Sequence, residues 1–93
     1  MSAQALVLAA GDDVAVALVP LIAGRTAEVR GAKAMRIQVR DAIPFGHKVA
    51  LQDVESGRDV RKLGHVIGFA QVAIRAGEHV HLHNLQSHRG PRA

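Results

Sequence analysis

The 93-residue chain is short enough to form a single domain, since chains normally divide only at about twice this length. Its composition removes whole classes of function: with no cysteine there is no disulfide framework, thiolate metal site or cysteine nucleophile, and two Phe without Trp or Tyr leave few rings for stacking bases or sugars. The formal charge of +4 is spread from Arg25 to Arg92 among eight acids, so no basic patch marks a nucleic-acid reader, although the charge suits anionic small molecules or an acidic partner.

From the N-terminus, residues 5–10 and 14–19 are rich in Val, Leu and Ala and suit short strands, though Ala also suits helices. Gly11, Asp12 and Asp13 mark a turn between them. The longest apolar run, residues 14–23, is ten residues with Pro20 inside it, too short to cross a bilayer. No basic stretch precedes an apolar one, so no signal peptide and no membrane partner are expected, and the location expected is cytoplasmic.

Further on, Met35, Ile37 and Val39 alternate with Arg36, Gln38 and Arg40, the period-two pattern of a strand with one dry face. Pro44 and Gly46 then end it. A local pattern recurs three times: a small residue, an apolar residue four later, a Gly three further on and an apolar residue three beyond. Ala50, Val54, Gly57 and Val60 match Ala70, Ile74, Gly77 and Val80 at an offset of twenty, while Ala17, Leu21, Gly24 and Ala27 fit more loosely. In each copy the Gly can take the positive φ of a tight turn, so the repeat reads as strand, turn, strand. The fold class expected is mostly β, with at most one short helix or helical turn near residues 56–63. The domain spans residues 1–86, followed by a disordered tail over 87–93. Because 28 of the 45 apolar residues are Ala or Val, the core is shallow, and the isolated chain is expected to form a homo-oligomer.

The densest chemistry is the run Glu78, His79, Val80, His81, Leu82, His83, Asn84. In an extended strand His79, His81 and His83 share one face, with neighbouring members about 7 Å apart at Cα. Two neighbours, His81 with His83 or His79 with His81, then grip one metal ion with a third ligand from elsewhere, while His79 and His83 lie too far apart. Imidazole suits borderline divalent ions such as iron, manganese or zinc. A solvated strand face whose histidines alternate with a buried Val and Leu explains the spacing as simply. Asn84 and the isolated His47, between Gly46 and Lys48, weigh toward a site. A His and a Lys at a tight turn bind a carboxylate or move a proton near neutral pH. His65 and His88 read as surface residues, and Asp53, Glu55 and Asp59 as solvated acids. No serine has an elbow motif and no glycine run matches a phosphate-cradling loop.

The segment Ile43, Pro44, Phe45, Gly46, His47, Lys48, Val49, Ala50, Leu51, followed by Gly57, Lys62, Gly64, Ile67, Gly68, Ala70, Ile74, Gly77, Glu78, His79, Val80, His81, His83 and Asn84, resembles the SAF-type domain of the altronate and galactarate dehydratase family. The resemblance covers about residues 5 to 85. It implies a β-clip fold and a small subunit whose large dehydratase-like partner carries most of the catalytic machinery. It also implies elimination of water from a sugar acid or other 2-hydroxy acid, in which a base takes the C2 proton. A divalent metal, iron or manganese, assists loss of the 3-hydroxyl. The sulfolactate sulfo-lyase small subunit is similar, and that branch expels sulfite. Carried onto this chain, His47 and Lys48 match the family's Gly-His-Lys element and His81, His83 and Asn84 its terminal histidine strand, which together are expected to line the substrate mouth; the roles expected are catalytic for His47 and Lys48, substrate-binding for Gly46, His81 and Asn84, and metal-ligating for His81 and His83. Leu63 stands where the family usually has Tyr, which puts the usual substrate in question. A freestanding carbohydrate- or anion-binding module and a docking module are the competing classes.

Overall fold

The computed structural model describes residues 3–88, and every regular element among them is a strand. Six strands form one sheet: β1 (Ala5–Val7), β2 (Val14–Ala17), β3 (Thr26–Gly31), β4 (Met35–Gln38), β5 (Lys48–Ala50) and β8 (His79–Val80), in the order β4-β3-β1-β2-β5-β8. A second sheet holds β6 (Asp59–Lys62), β7 (His65–Ala70) and β9 (Leu85–Gln86), in the order β6-β7-β9. Pairing is antiparallel except between β1 and β3. No helix among the described residues is long and apolar enough to cross a membrane.

The glycine repeat sets the architecture. Val54 and Ile74 exchange both backbone hydrogen bonds, at 2.7 and 2.8 Å, while Gly57 N–H donates to the Ala70 carbonyl and Gly77 N–H to that of Ala50. The two copies thus pair about a local two-fold axis. The third copy pairs in the same way with a fourth, Val39, Ile43, Gly46 and Val49: Leu21 and Ile43 exchange bonds, Gly24 donates to Val39 and Gly46 to Ala17. The fourth copy escapes a search that requires a small first residue, because Val39 stands there. In all four copies the Gly is the third residue of a turn closed by the following N–H, and its φ lies between 82° and 89°, the region a type II turn demands and a Cβ resists.

The apolar members fill two cores. One gathers Ala5, Val7, Leu21, Val29, Ile37, Val39, Ile43 and Val49, and the other Val14, Ala50, Val54, Val60, Ala70, Ile74 and Val80. The alternation expected around Met35 holds, with Ile37 and Val39 buried and Arg36, Gln38 and Arg40 exposed. The helical turn expected near residues 56–63 is replaced by the Gly57 turn, strand β6 and the tip of the β6–β7 hairpin. Backbone pairing to β7 claims those residues, and their apolar spacing was that of a strand entering a turn.

Asp12 and Asp13, expected only to mark a turn, are buried at 1% and 2% exposure. The Asp12 carboxylate accepts from the N–H groups of Ala9, Leu63 and Gly64, at 3.0, 2.7 and 2.9 Å. Asp13 accepts from Arg61 N–H, Gln52 and Arg58. The pair anchors the hairpin, whose tip residue Leu63 has a φ of 54°. Of the expected tail, residues 89–93 lie outside the described residues, while His88 sits 2.8 Å from an Asp59 carboxylate oxygen and against the Phe69 ring.

Candidate functional site

Two of the glycine turns deliver the site. The Gly46 turn hands the chain to His47 and β5, and the Gly77 turn hands it to Glu78 and β8. Strands β5 and β8 pair with Lys48 opposite Val80 and Val49 opposite His79. One further step of that register sets His81 against His47, within the reach of cross-strand side chains. His47 Nδ1 lies 2.9 Å from His79 Nε2, and the His47 ring stacks on that of His81 at 4.6 Å between centroids. His79 and His81 stack at 5.3 Å. The turn in the middle of the chain and the histidines near its end therefore form one cluster on the edge of the larger sheet.

The three rings offer nitrogen atoms that all lie within 4.8 Å of one another. A tetrahedral ion bound at about 2.1 Å needs nitrogens about 3.4 Å apart, so small ring rotations close the set around an ion. The donor chemistry fits a borderline divalent metal. Electrostatics point the same way. Burial pushes the His79 pKa below the usual imidazole range, the neighbouring His47, His81 and His83 push it further, and Asp41 opposes them. That of His81 is lowered by lost solvation and then by His47, Lys48 and His83. Both shifts favour the neutral ring, the form that ligates a metal.

Burial, followed by the charge of Lys62, also lowers the pKa of Lys48. Gly46, exposed at its turn, sets the chain direction into His47. Strand β8 ends after Val80, which corrects the straight-strand expectation. The Asn84 side-chain oxygen accepts from His81 N–H and its nitrogen donates to the His79 carbonyl, and together these bonds bend residues 81–84 into a turn. Leu82 is consequently 80% exposed rather than buried opposite the histidines. The same turn brings His83 to within 5.5 Å of the His79 ring, closer than an extended chain allows, yet leaves it outside the nitrogen trio. Asn84 itself is 4% exposed, and both its polar atoms are engaged in shaping this turn.

Sequence reasoning offered His79 only as one alternative and overlooked Asp41, whose carboxylate accepts from His79 N–H at 2.9 Å. No spacing rule links residues 38 positions apart; Asp41 reaches His79 because Arg40 N–H binds the Gly77 carbonyl. Two surface clefts, around Leu21 and Val39 and around Pro20 and Ile43, include none of the histidines.

Interlocked pairs of glycine turns carrying a histidine face define a small all-β module. Residues 3–88 match the altronate/galactarate dehydratase SAF domain, and the chain belongs to that family. It is similar to the (2R)-sulfolactate sulfo-lyase subunit alpha of Chromohalobacter salexigens, with 42% identity over 57 residues, 61% of each chain. It is similar also to the altronate dehydratases of Escherichia coli and Bacillus subtilis, with 41% and 37% identity over 76 residues, 82% of this chain. The chain matches 61% of that sulfo-lyase subunit and 15% of each dehydratase, so it spans only part of the length of these relatives.

Proposed function

We propose that the chain is the small subunit of a metal-dependent carbon–oxygen lyase of the altronate and galactarate type, acting beside a large dehydratase-like subunit in the cytoplasm. The convergence of His47, His79 and His81 from two separate turns carries this reading. The match to only 15% of each dehydratase supports a large partner supplying the rest of the machinery.

His47, His79 and His81 would hold a divalent ion, iron or manganese by family, and that ion would supply Lewis-acid assistance to departure of a hydroxyl. This chain's own residues bind and orient. The downward pKa shifts of His79 and His81 favour their uncharged rings, and Asp41 and Asn84 fix the backbone that carries them. His83 lines the rim beside His79. The Lys48 ammonium draws the carboxylate of a 2-hydroxy acid toward the histidines. The C2 proton passes to a base on the large subunit. A second reading, expulsion of sulfite as in the sulfo-lyase relatives, is favoured by a relative that is itself a separate subunit. Another places His47 as the proton acceptor, its 2.9 Å hydrogen bond to His79 serving as the relay.

Co-expression with the large subunit tests all three. Dehydratase activity that requires both chains and disappears in His47→Ala and His81→Ala supports the lyase reading. Sulfite release in its place selects the second. Metal bound by the wild type and lost in those variants separates the ion centre from the proton relay. Full turnover in both variants removes the site.

A further inference from the structure

The two interlocked pairs of glycine turns allow one surface to be read against the other. Residues 17–27 pair with 39–49 as residues 50–60 pair with 70–80, so the neighbours of the bridging residues Leu21, Ile43, Val54 and Ile74 occupy equivalent positions, all of them exposed. In the second pair those neighbours are Asp53, Glu55, Ala73 and Arg75, a surface suited to water. In the first they are Pro20, Ile22, Ala42 and Pro44. Val19 and Phe45, next to them in the chain, are exposed as well, where the second pair has Gln52 and Ala76. Ile22 and Phe45 leave 54% and 67% of their surface in solvent. The fold tolerates charge at these positions, because the second pair carries it there. Folding therefore does not explain the apolar choice in the first pair, and contiguous apolar surface of this kind marks an interaction site.

Two clefts share Pro20 and Leu21 on this face. One is lined by Pro20, Leu21, Ala42, Ile43 and Pro44, with no polar side chain, and the other continues past Ile22 to Arg25, Thr26 and Gln4. Arg25 and Arg40 are exposed at the margins. Asp41 is the one acid in residues 17–27 or 39–49, and its carboxylate is turned to the His79 N–H. The face is thus apolar at its centre and cationic at its rim. A second copy presenting the same face doubles the cations with no free acid to meet them, so charge selects a different chain, one with an apolar centre and acids around it. The patch also runs into the histidine face. Phe45 precedes the Gly46 turn that leads to His47, and Asp41, just ahead of Ala42, holds the His79 backbone. A chain seated on residues 42–45 therefore borders the histidine trio.

We propose that residues 19–22 and 42–45 are the docking site of the large subunit, which meets them with an apolar surface fringed by Asp or Glu. The inference rests on the large-partner part of the proposed function and adds the face that is used and the chemistry of its complement. Ile22 and Phe45 anchor the contact, and Arg25 steers it.

Co-expression of the chain with an affinity-tagged large subunit, with recovery of the chain measured at low and high salt, tests it. Ile22→Glu and Phe45→Glu are each expected to lower recovery at least about tenfold, because each sets an acid in an apolar contact ringed by acids. Arg25→Glu is expected to lower it about threefold, a loss that shrinks as salt rises. Val72→Glu alters a side chain 55% exposed on the polar pair and is expected to leave recovery unchanged. Thermal melting checks that each variant is folded, and one that melts early is replaced by Ile22→Ser or Phe45→Ser, expected to lower recovery about threefold. Wild-type recovery of the Ile22 and Phe45 variants, or an equal loss with Val72→Glu, overturns the docking face and leaves the large partner standing. A wild-type chain that never travels with the large subunit overturns the partner itself. Light scattering that shows the isolated chain as a dimer, dissociated by Phe45→Glu, overturns the proposal in favour of a second copy.

Discussion

Asp12 and Asp13 lie 1% and 2% exposed, with carboxylates enclosed by backbone N–H groups, Gln52 and Arg58, whereas His47, His79 and His81 are half-buried and contact chiefly one another. The aspartates satisfy donors that the fold itself leaves over at the hairpin tip, so their removal strands those donors. The histidines have ring nitrogens to spare, and their side chains hold no strand in place. Two polar clusters of similar size thus divide the work, one fixing the fold and the other presenting chemistry.

The contrast is broken most sharply at Asp12. Asp12→Ala leaves three N–H groups without their acceptor, each worth about 1–3 kcal/mol, and is expected to unfold the hairpin or the whole chain in a urea titration. Retention of wild-type stability would show the cluster to be incidental. Gly77→Ala comes next, because its Cβ meets the Gln38 carbonyl as well as a φ of 89°. At Gly57, with a φ of 88° and open space around it, the change is expected to cost only about 1–2 kcal/mol, and equal effects at both glycines would discount the steric contact.

The acid limb of stability sharpens the comparison further. Burial raises the Asp12 pKa, but hydrogen bonds from Gly64, Leu63 and Ala9, with the Lys33 charge, outweigh it, and the folded value lies below the ordinary one. A depressed carboxylate stabilises the fold above its unfolded pKa of about 3.9, and that contribution is lost as pH falls through the folded value. Melting temperature recorded from pH 6 down to pH 2 is expected to fall, with a shallower slope in Asp12→Asn. His47→Ala is expected to change stability by less than about 1 kcal/mol while abolishing metal binding, the reverse of Asp12. The smallest effect is expected from Leu63→Tyr, which restores the ring usual in the family at a residue 57% exposed: within about 0.5 kcal/mol by thermal melting.

Local chemistry wrote the turns legibly. Glycine at fixed distances from apolar residues marks positive φ whatever the tertiary setting, and three of the four copies were readable on that ground. The histidine face was legible in its members and illegible in its arrangement. An alternating run reads as a straight strand, and nothing in its spacing announces that Asn84 draws back the His81 N–H and ends β8 at Val80. Asp12 shows the same limit, since an acid after Gly11 reads as a solvated turn until a hairpin tip 51 residues away arrives to be bound.

The sequence by itself determined a β chain punctuated by glycine turns, and which side chains were available for chemistry, because backbone sterics and side-chain identity act within a few residues. Only the tertiary structure decided that His47 meets His79 and His81, that Asp41 holds the His79 backbone, and that the paired aspartates are buried. Those meetings depend on which strands share hydrogen bonds across gaps of tens of residues, and each such pairing is fixed by the closing of two cores rather than by any local preference.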